Sequence, residues 1–348
     1  MMKISVGDRE IGDSCPVYIV AEIGINHNGD MDLAERTIIA AHTAGADAVK
    51  FQSYCTEDFI SNRELMLEYQ SQGQIHREPQ YDLFKRCEID GEKLLRLKHF
   101  CDDMGIDVHT TPTSQSGIDD LLAANINVIK NGSDYLGHIP LIRSMASTGL
   151  QVVLSTGMAS AEEIQEAVDA YYDKADEKLI LLHCTSSYPA PADSIHLRKM
   201  CQLRKQFGCL VGFSDHSNGS TATIAAVTMG ACWIEKHFTL DKNLPGPDHW
   251  FSSDELEFKA LVETIRCVEA CLGSAELGYT DLEAQSRADF KLSCVANRDL
   301  SKCHQLDWED IAFRRPGTGI KPANAYKIVG QVLKSNIQSG EPFTENNF

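Results

Sequence analysis

The sequence predicts a (β/α)8 barrel, of mixed α/β class, followed by a small second domain. Three observations carry that reading. Short β-rich runs alternate with amphipathic stretches eight times in succession. The runs are mostly continuous in apolar residues, as parallel strands covered on both faces require. No Gly-x-Gly-x-x-Gly turn follows the first run, so an open dinucleotide-binding sheet has little support beside a closed barrel.

The expected strands are Val17–Ile25, Ala48–Tyr54, Asp107–Thr111, Asn127–Gly132, Gln151–Thr156, Leu179–Ser186, Leu210–His216 and Trp233–Leu240. Helical signals fill the gaps. Met31, Ala34, Ile38 and Ala41 recur at three- and four-residue spacing, with Asp30 as N-cap and Gly45 at the stop. Ser160 and Glu163 read as a capping box ahead of Ile164, Ala167, Val168 and Tyr171. Leu261, Ile265, Val268 and Leu272 mark the last long helix, where Cys267 and Cys271 are read as buried packing. The stretch Thr56–Pro79 is polar, without clear periodicity, and lies on the side where barrel loops are usually functional.

The pattern breaks after Gly273. The expected organisation is a barrel over 1–273, a polar linker over 274–289 and a small unit over 290–348. That last unit carries a strand-like Leu292–Ala296, the run Arg314-Arg315-Pro316-Gly317-Thr318-Gly319-Ile320, and a short helix around Tyr326–Leu333. It is small for independent stability and is expected to pack on something larger.

A net charge of −18 argues against nucleic acid or anionic lipid as a partner. An anionic substrate would have to meet a local cluster of positive charge. No apolar run approaches the about 20 residues of a membrane span, and charges are scattered where a signal peptide would be apolar, so a cytoplasmic protein is expected. The 12 cysteines include no Cys-x-x-Cys pair and do not read as a disulfide framework in 348 residues.

Barrel enzymes place their chemistry at the C-terminal ends of strands. Here those ends are polar on every strand. Glu22 and Asn26 end the first, Lys50 and Gln52 the second, Thr111 the third, Lys130 and Ser133 the fourth, and Ser155 the fifth. Ser186 and Tyr188 leave the sixth, Ser214 and His216 end the seventh, and Glu235 and His237 lie on the eighth. Within a strand, pairs two apart share a face. His216 and His237 come from neighbouring strands, so two neutral imidazoles suit a divalent ion with open positions; the alternative is two hydrogen-bonded histidines at the rim. Lys50 and Lys130 supply the missing positive charge, either for an anion or for pairing with Glu22 and Glu235, while the hydroxyls of Thr111, Ser155, Ser186 and Ser214 orient oxygens. Glu22, beside cations, is placed to move protons.

These residues resemble the sialic acid synthase family of N-acetylneuraminate, legionaminate and pseudaminate synthases. The matching stretches are Ala21-Glu22-Ile23-Gly24-Ile25-Asn26-His27, Val49-Lys50-Phe51-Gln52, Leu154-Ser155-Thr156-Gly157-Met158 and His183-Cys184-Thr185-Ser186-Ser187-Tyr188-Pro189. Phe213-Ser214-Asp215-His216, Ile234-Glu235-Lys236-His237-Phe238, Gly246-Pro247-Asp248-His249 and Arg315-Pro316-Gly317-Thr318-Gly319 continue the match over nearly the whole chain.

The resemblance implies a small C-terminal domain of the antifreeze-like (SAF) type and a domain-swapped homodimer. It also implies a divalent cation, often manganese with magnesium or cobalt as alternatives, on the residues matching His216 and His237. By the same resemblance, phosphoenolpyruvate would meet Lys50, Thr111, Lys130, Ser133, Ser155, Ser186 and Ser214. An open-chain N-acylmannosamine-type sugar would meet Tyr188, Asp248 and the partner's counterpart of Arg315, with Glu22 handling protons. The implied product is a nonulosonic acid, N-acetylneuraminate or legionaminate, with phosphate.

The sequence departs from the family after Ser133, where Asp134 and Tyr135 replace a Gly-acid pair, and that leaves the sugar open. Two other activities compete: another phosphoenolpyruvate-condensing 3-deoxy-sugar-acid synthase, and a metal-dependent hydrolase. The Arg315 segment argues against the first, and the lack of further metal ligands against the second.

Overall fold

The computed structural model describes residues 2–175 and 179–348, which divide into two compact units, Met1–Gly273 and Ser274–Phe348. In the first, eight parallel strands close into a barrel: β1 (Tyr18–Gly24), β2 (Ala48–Ser53), β3 (Asp107–Pro112), β4 (Val128–Asn131), β5 (Gln151–Ser155), β6 (Ile180–Cys184), β7 (Leu210–Asp215) and β8 (Trp233–His237). β8 pairs with β1, Trp233 opposite Tyr18 and His237 opposite Glu22, which closes the ring. Each strand lies inside an expected run except β3, which runs one residue further, to Pro112. The trimmed ends leave Ser186 and His216 on the loops just beyond β6 and β7.

Continuous apolar strands are buried on both faces here, for different reasons. Outward side chains such as Ile19, Val49, Ile129, Leu154, Leu181 and Ile234 pack on the surrounding helices. Inward ones, Tyr18, Val20, Ala48, Val128, Val153, Leu182 and Trp233, fill the lower barrel and meet Ile4, Val6 and Ile11 of an N-terminal hairpin that plugs it. Gly212 makes room for this packing: a Cβ there would stand 2.5 Å from both Leu182 Cδ2 and the Trp233 carbonyl. The helices carry the expected caps. Asp30 accepts from the amides of Asp32 and Leu33, and Ser160 and Glu163 form the capping box of Ala161–Tyr172.

Three expectations need correction. Cys267 and Cys271 are exposed, because the helix Glu255–Leu272 buries Phe258, Leu261, Val262 and Ile265 instead. The stretch Thr56–Pro79 is ordered into a helical turn, Thr56–Phe59, and a hairpin of Met66–Ser71 with Gln74–Pro79. Its turn uses Gln72 and Gly73 at φ 51° and 74°, the left-handed pair that matches strand twist. Because the hairpin is only half-buried, its alternation is faint in the sequence. The helix around Tyr326–Leu333 is a single turn, Ala325–Ile328, stopped before Gly330 at φ 83°.

The second unit has its own core of Cys294, Leu300, Leu306, Ile311, Ile328, Leu333, Ile337 and Phe343 beside a strand pair, Ser293–Ala296 with Ile311–Arg314. Asp310 is buried in it and ties three groups together. Its Oδ1 accepts from Arg298 Nε and Nη2 at 2.8 and 2.7 Å, and its Oδ2 lies 2.7 Å from His304 Nε2 and accepts from the Asp307 amide at 3.0 Å. Burial alone would raise its pKa, but these partners outweigh it and hold the carboxyl at about 2. A depressed carboxylate stabilises the fold above its ordinary range and loses that contribution as pH falls through about 2. Asp310→Asn should therefore cost the second unit about 2–3 kcal/mol near pH 7 in urea unfolding. The gap to wild type should shrink toward pH 2; a gap that stays constant would contradict this role.

Candidate active site

Period-2 alternation aims the strand-end side chains into the barrel, and the loops after β6, β7 and β8 add theirs. Glu22, Lys50, Thr111, Lys130, Ser133, Ser155, Ser186, Tyr188, Ser214, His216, His237 and Asp248 all line one cavity of about 430 Å³ at the C-terminal end. Arg315, the remaining expected residue, belongs to the second unit. There it is exposed, its Nε donating to the Phe290 carbonyl at 3.1 Å and its guanidinium 5.1 Å from the Phe290 ring centroid.

The lysines are buried and already paired. Lys50 Nζ forms an ion pair with Glu22 Oε2 and lies 3.4 Å from Thr111 Oγ1. Lys130 Nζ donates to Ser155 Oγ at 2.6 Å and to the Asn131 carbonyl at 3.0 Å, with Glu235 Oε2 at 3.6 Å. Burial disfavours the charge on Lys50, but Glu22 and Glu235 outweigh it and raise its pKa. Lys130 is lowered, by burial and by Lys50, against the pull of Glu235. Glu22 is raised to about 7 by burial and by repulsion from Glu235, against the attraction of Lys50. Its Oε1 is buried with no hydrogen-bond partner, as is Glu235 Oε1.

Serine hydroxyls converge because Gly157 leaves space. A Cβ there would lie 2.4 Å from Ser186 Oγ and 2.8 Å from Ser133 Oγ, and the Gly157 amide donates to Ser133 Oγ at 3.1 Å.

The histidines stand on one side, ring centroids 5.4 Å apart, with the Tyr188 ring 4.3 Å from His216. His216 Nδ1 donates to the Thr185 carbonyl at 2.8 Å, so in the neutral ring Nε2 carries the lone pair. His237 Nδ1 is buried without a hydrogen-bond partner, 3.8 Å from Asp248 Oδ2. Burial keeps both rings neutral, His216 at about 4 and His237 well below its usual value, the latter also through His216. His216 Nε2 lies 3.3 Å from Ser214 Oγ, a contact an ion would replace, and two neutral imidazoles fit a divalent ion that keeps other positions for water or substrate. The one three-ligand grouping among the described residues, Cys55, Glu57 and Glu88, lies elsewhere, and Lys85 occupies both of its carboxylates.

Their mutual placement rests on a pair facing the other way. Asp215 and Lys236 are register partners on β7 and β8, bonded at 2.9 Å and fully enclosed with Ser217 and Thr223. Both lie in motifs picked out from the sequence, yet their opposite facing follows only from alternation. Glu235 was read as a partner for a lysine and also lines the cavity; its spacing of two from His237 was the available signal.

Fold and site define a (β/α)8 barrel enzyme whose mouth gathers buried cations, hydroxyls, carboxylates and two metal-competent imidazoles. The NeuB family pattern matches residues 37–277, and a SAF domain matches residues 293–348. The chain belongs to the NeuB family.

It is 41% identical to an uncharacterised protein of Methanocaldococcus jannaschii, over 98% of this chain and 97% of that one. It is 39% identical to the N,N'-diacetyllegionaminic acid synthase of Legionella pneumophila, over 96% and 95% of the two chains. The crystal structure of N-acetylneuraminic acid (sialic acid) synthetase from Leptospira borgpetersenii superposes with a TM-score of 0.74 at 34% identity, covering 82% of this chain and 95% of that one. The chain is a nonulosonic acid synthase. No helix among the described residues is long and apolar enough to cross a membrane.

Proposed function

We propose that this enzyme condenses phosphoenolpyruvate with an open-chain N-acylated amino sugar, releasing phosphate and a nonulosonic acid. The observation that carries the reading is the pair of buried lysines set among serine and threonine hydroxyls in the barrel mouth of a chain whose net charge is −18. Such a chain repels anions at long range, so cations inside its cavity belong to an anionic ligand that displaces their carboxylate partners. The names of the Legionella and Leptospira relatives support the same reaction class.

In this reading Lys50, Lys130 and Thr111, with Ser133, Ser155, Ser186 and Ser214, hold the carboxylate and phosphate of phosphoenolpyruvate. They fix its enol carbon against the sugar aldehyde. Tyr188 and Asp248 meet the sugar. When bound at His216 and His237, a divalent cation, manganese being the expected one, supplies Lewis-acid polarisation of the aldehyde oxygen. Carbon–carbon bond formation leaves positive charge at C2 of the pyruvyl unit, which the surrounding carboxylates stabilise. Glu22, protonated as phosphoenolpyruvate displaces it from Lys50, gives that proton to the aldehyde oxygen as the carbon–carbon bond forms. Ionised again, it takes a proton from the water that adds at C2, and the C–O bond to phosphate breaks with the C2 hydroxyl proton leaving on phosphate. A group poised at about 7 suits that transfer.

Removal of divalent ions should abolish phosphate release and manganese should restore it. Lys130→Met should raise KM for phosphoenolpyruvate about tenfold to a hundredfold, the worth of one charge-assisted contact. A KM change confined to the sugar would reassign Lys130.

The second unit is read as a cap for the barrel of a partner subunit in a domain-swapped homodimer. Arg315 stands exposed in a loop seated tightly on its own unit: a Cβ on Gly317 would lie 2.6 Å from Lys291 Cβ, and one on Gly319 2.7 Å from the Phe343 carbonyl. A planar guanidinium suits a hydroxyl- and carbonyl-rich sugar. Arg315→Ala and His237→Ala homodimers should each be nearly inactive, while mixed dimers regain one intact site. At full random exchange activity should approach about a quarter of wild type by symmetry counting. Verified mixed dimers no more active than the separate mutants would place Arg315 in its own subunit's site.

A further inference from the structure

The two imidazoles of the cavity are held in different ways. A ligating histidine usually donates its second ring nitrogen to a carbonyl or carboxylate, which fixes the plane of the ring. His216 has such an anchor in the Thr185 carbonyl, 2.8 Å from its Nδ1. His237 has none at Nδ1, which is buried without a hydrogen-bond partner. Asp248 Oδ2, at 3.8 Å, lies beyond hydrogen-bond reach.

Rings take the place of that bond. His216, Tyr188 and Phe251 meet the His237 ring edge to face, with centroids 5.4, 5.7 and 5.2 Å away. His216 and Tyr188 line the cavity themselves. Phe251 is buried and is not among the lining residues. It supports His237 from behind, out of contact with whatever the cavity holds.

The backbone around Phe251 is fixed to the barrel. The chain that leaves β8 returns alongside it, with Ser253 bridged in parallel to Phe238. The Ser253 amide donates to the His237 carbonyl at 2.8 Å, and the Thr239 amide to the Ser253 carbonyl at 3.0 Å. Asn26, just beyond β1, donates through Nδ2 to the Phe238 carbonyl at 2.9 Å and to Ser252 Oγ at 3.1 Å. That hydroxyl donates in turn to the Asp248 carbonyl at 2.6 Å. Phe251, Ser252 and Ser253 are all buried. The strap is thus bonded to the backbone of the residue whose ring it supports.

Resting on the metal reading of His216 and His237, we propose that Phe251 is a positioning residue of that centre. Its ring, seated by the strap, holds the His237 imidazole in the orientation that meets the ion. Packing here does what the Thr185 carbonyl does for His216. An imidazole without this wall is free to turn about its Cβ–Cγ bond, and binding an ion must then order it. The loss falls on metal affinity and spares the lysines of β2 and β4.

Titration with manganese, followed by the EPR signal of the free ion, measures this without turnover. Phe251→Ala should weaken manganese binding about tenfold to a hundredfold, the loss that follows removal of an outer partner from a ligating histidine. Phosphoenolpyruvate binding to the metal-free protein, by calorimetry, should be unchanged, and saturating manganese should restore kcat. Phe251→Leu keeps most of the apolar volume and serves where the alanine variant does not fold. It should also bind manganese more weakly than wild type, because a branched chain presents no flat ring to the imidazole. Wild-type manganese affinity in either folded variant overturns the proposal and leaves the metal reading standing. A parallel loss of phosphoenolpyruvate binding also overturns it, since that marks a general loosening of the site. Wild-type protein that binds no manganese removes the metal reading and the proposal together.

Discussion

Two cations buried in the barrel mouth of an acidic protein are the constraint around which the rest of this structure is arranged. A lysine sealed in a barrel mouth loses solvation worth several kcal/mol, and it stays charged only with a counter-ion beside it. Glu22 and Glu235 supply those counter-ions. Their own position is uneasy: they are buried, they repel each other, and each keeps an oxygen without a hydrogen-bond partner. The cavity is thus held together by pairs that an incoming anion can exchange.

The barrel makes this arrangement rigid. Its lower half is packed with Tyr18, Val20, Leu182 and Trp233 and closed by the N-terminal hairpin, so the charged layer rests on an apolar floor. The enclosed Asp215–Lys236 pair staples β7 to β8 from outside and sets the spacing of the two imidazoles within. The hairpin after β2 closes one side of the mouth by bonding to the loop after β8. The apolar floor, the charged layer above it and the hairpin at the rim thus carry different chemistry.

Much of this was legible in the sequence, for a physical reason. Strands buried on both faces must be apolar throughout, so the polar residues that end them, Glu22, Lys50, Lys130, Ser155 and His237, stand out against the run. Alternation then dictates that each faces inward. The signal fails where burial is partial or where contact is long-range. The hairpin of Met66–Ser71 and Gln74–Pro79 shows one weakly buried face, and its only strong mark is Gln72-Gly73 at the turn. The apolar cluster at the cavity's edge draws Ile25, Tyr54, Leu67 and Phe84 from separate segments, none of which stands out alone. Cys267 and Cys271 lie within an apolar helical pattern, yet the helix gives Leu261 and Ile265 to the core and turns both cysteines away from it.

The account turns on ion pairs that open to admit an anion, and proton linkage reads that event directly. In the proposed reaction phosphoenolpyruvate draws Lys50 away, so Glu22 would lose its counter-ion and gain a negative neighbour; its pKa would then rise from about 7 and it would take up a proton. Calorimetric titration of phosphoenolpyruvate at pH 8, in buffers of differing ionisation enthalpy, measures that uptake. Wild type should bind with net proton uptake, and Glu22→Gln should bind without it. Binding with no uptake in wild type, or equal uptake in both proteins, would contradict the exchange of Glu22 for substrate at Lys50.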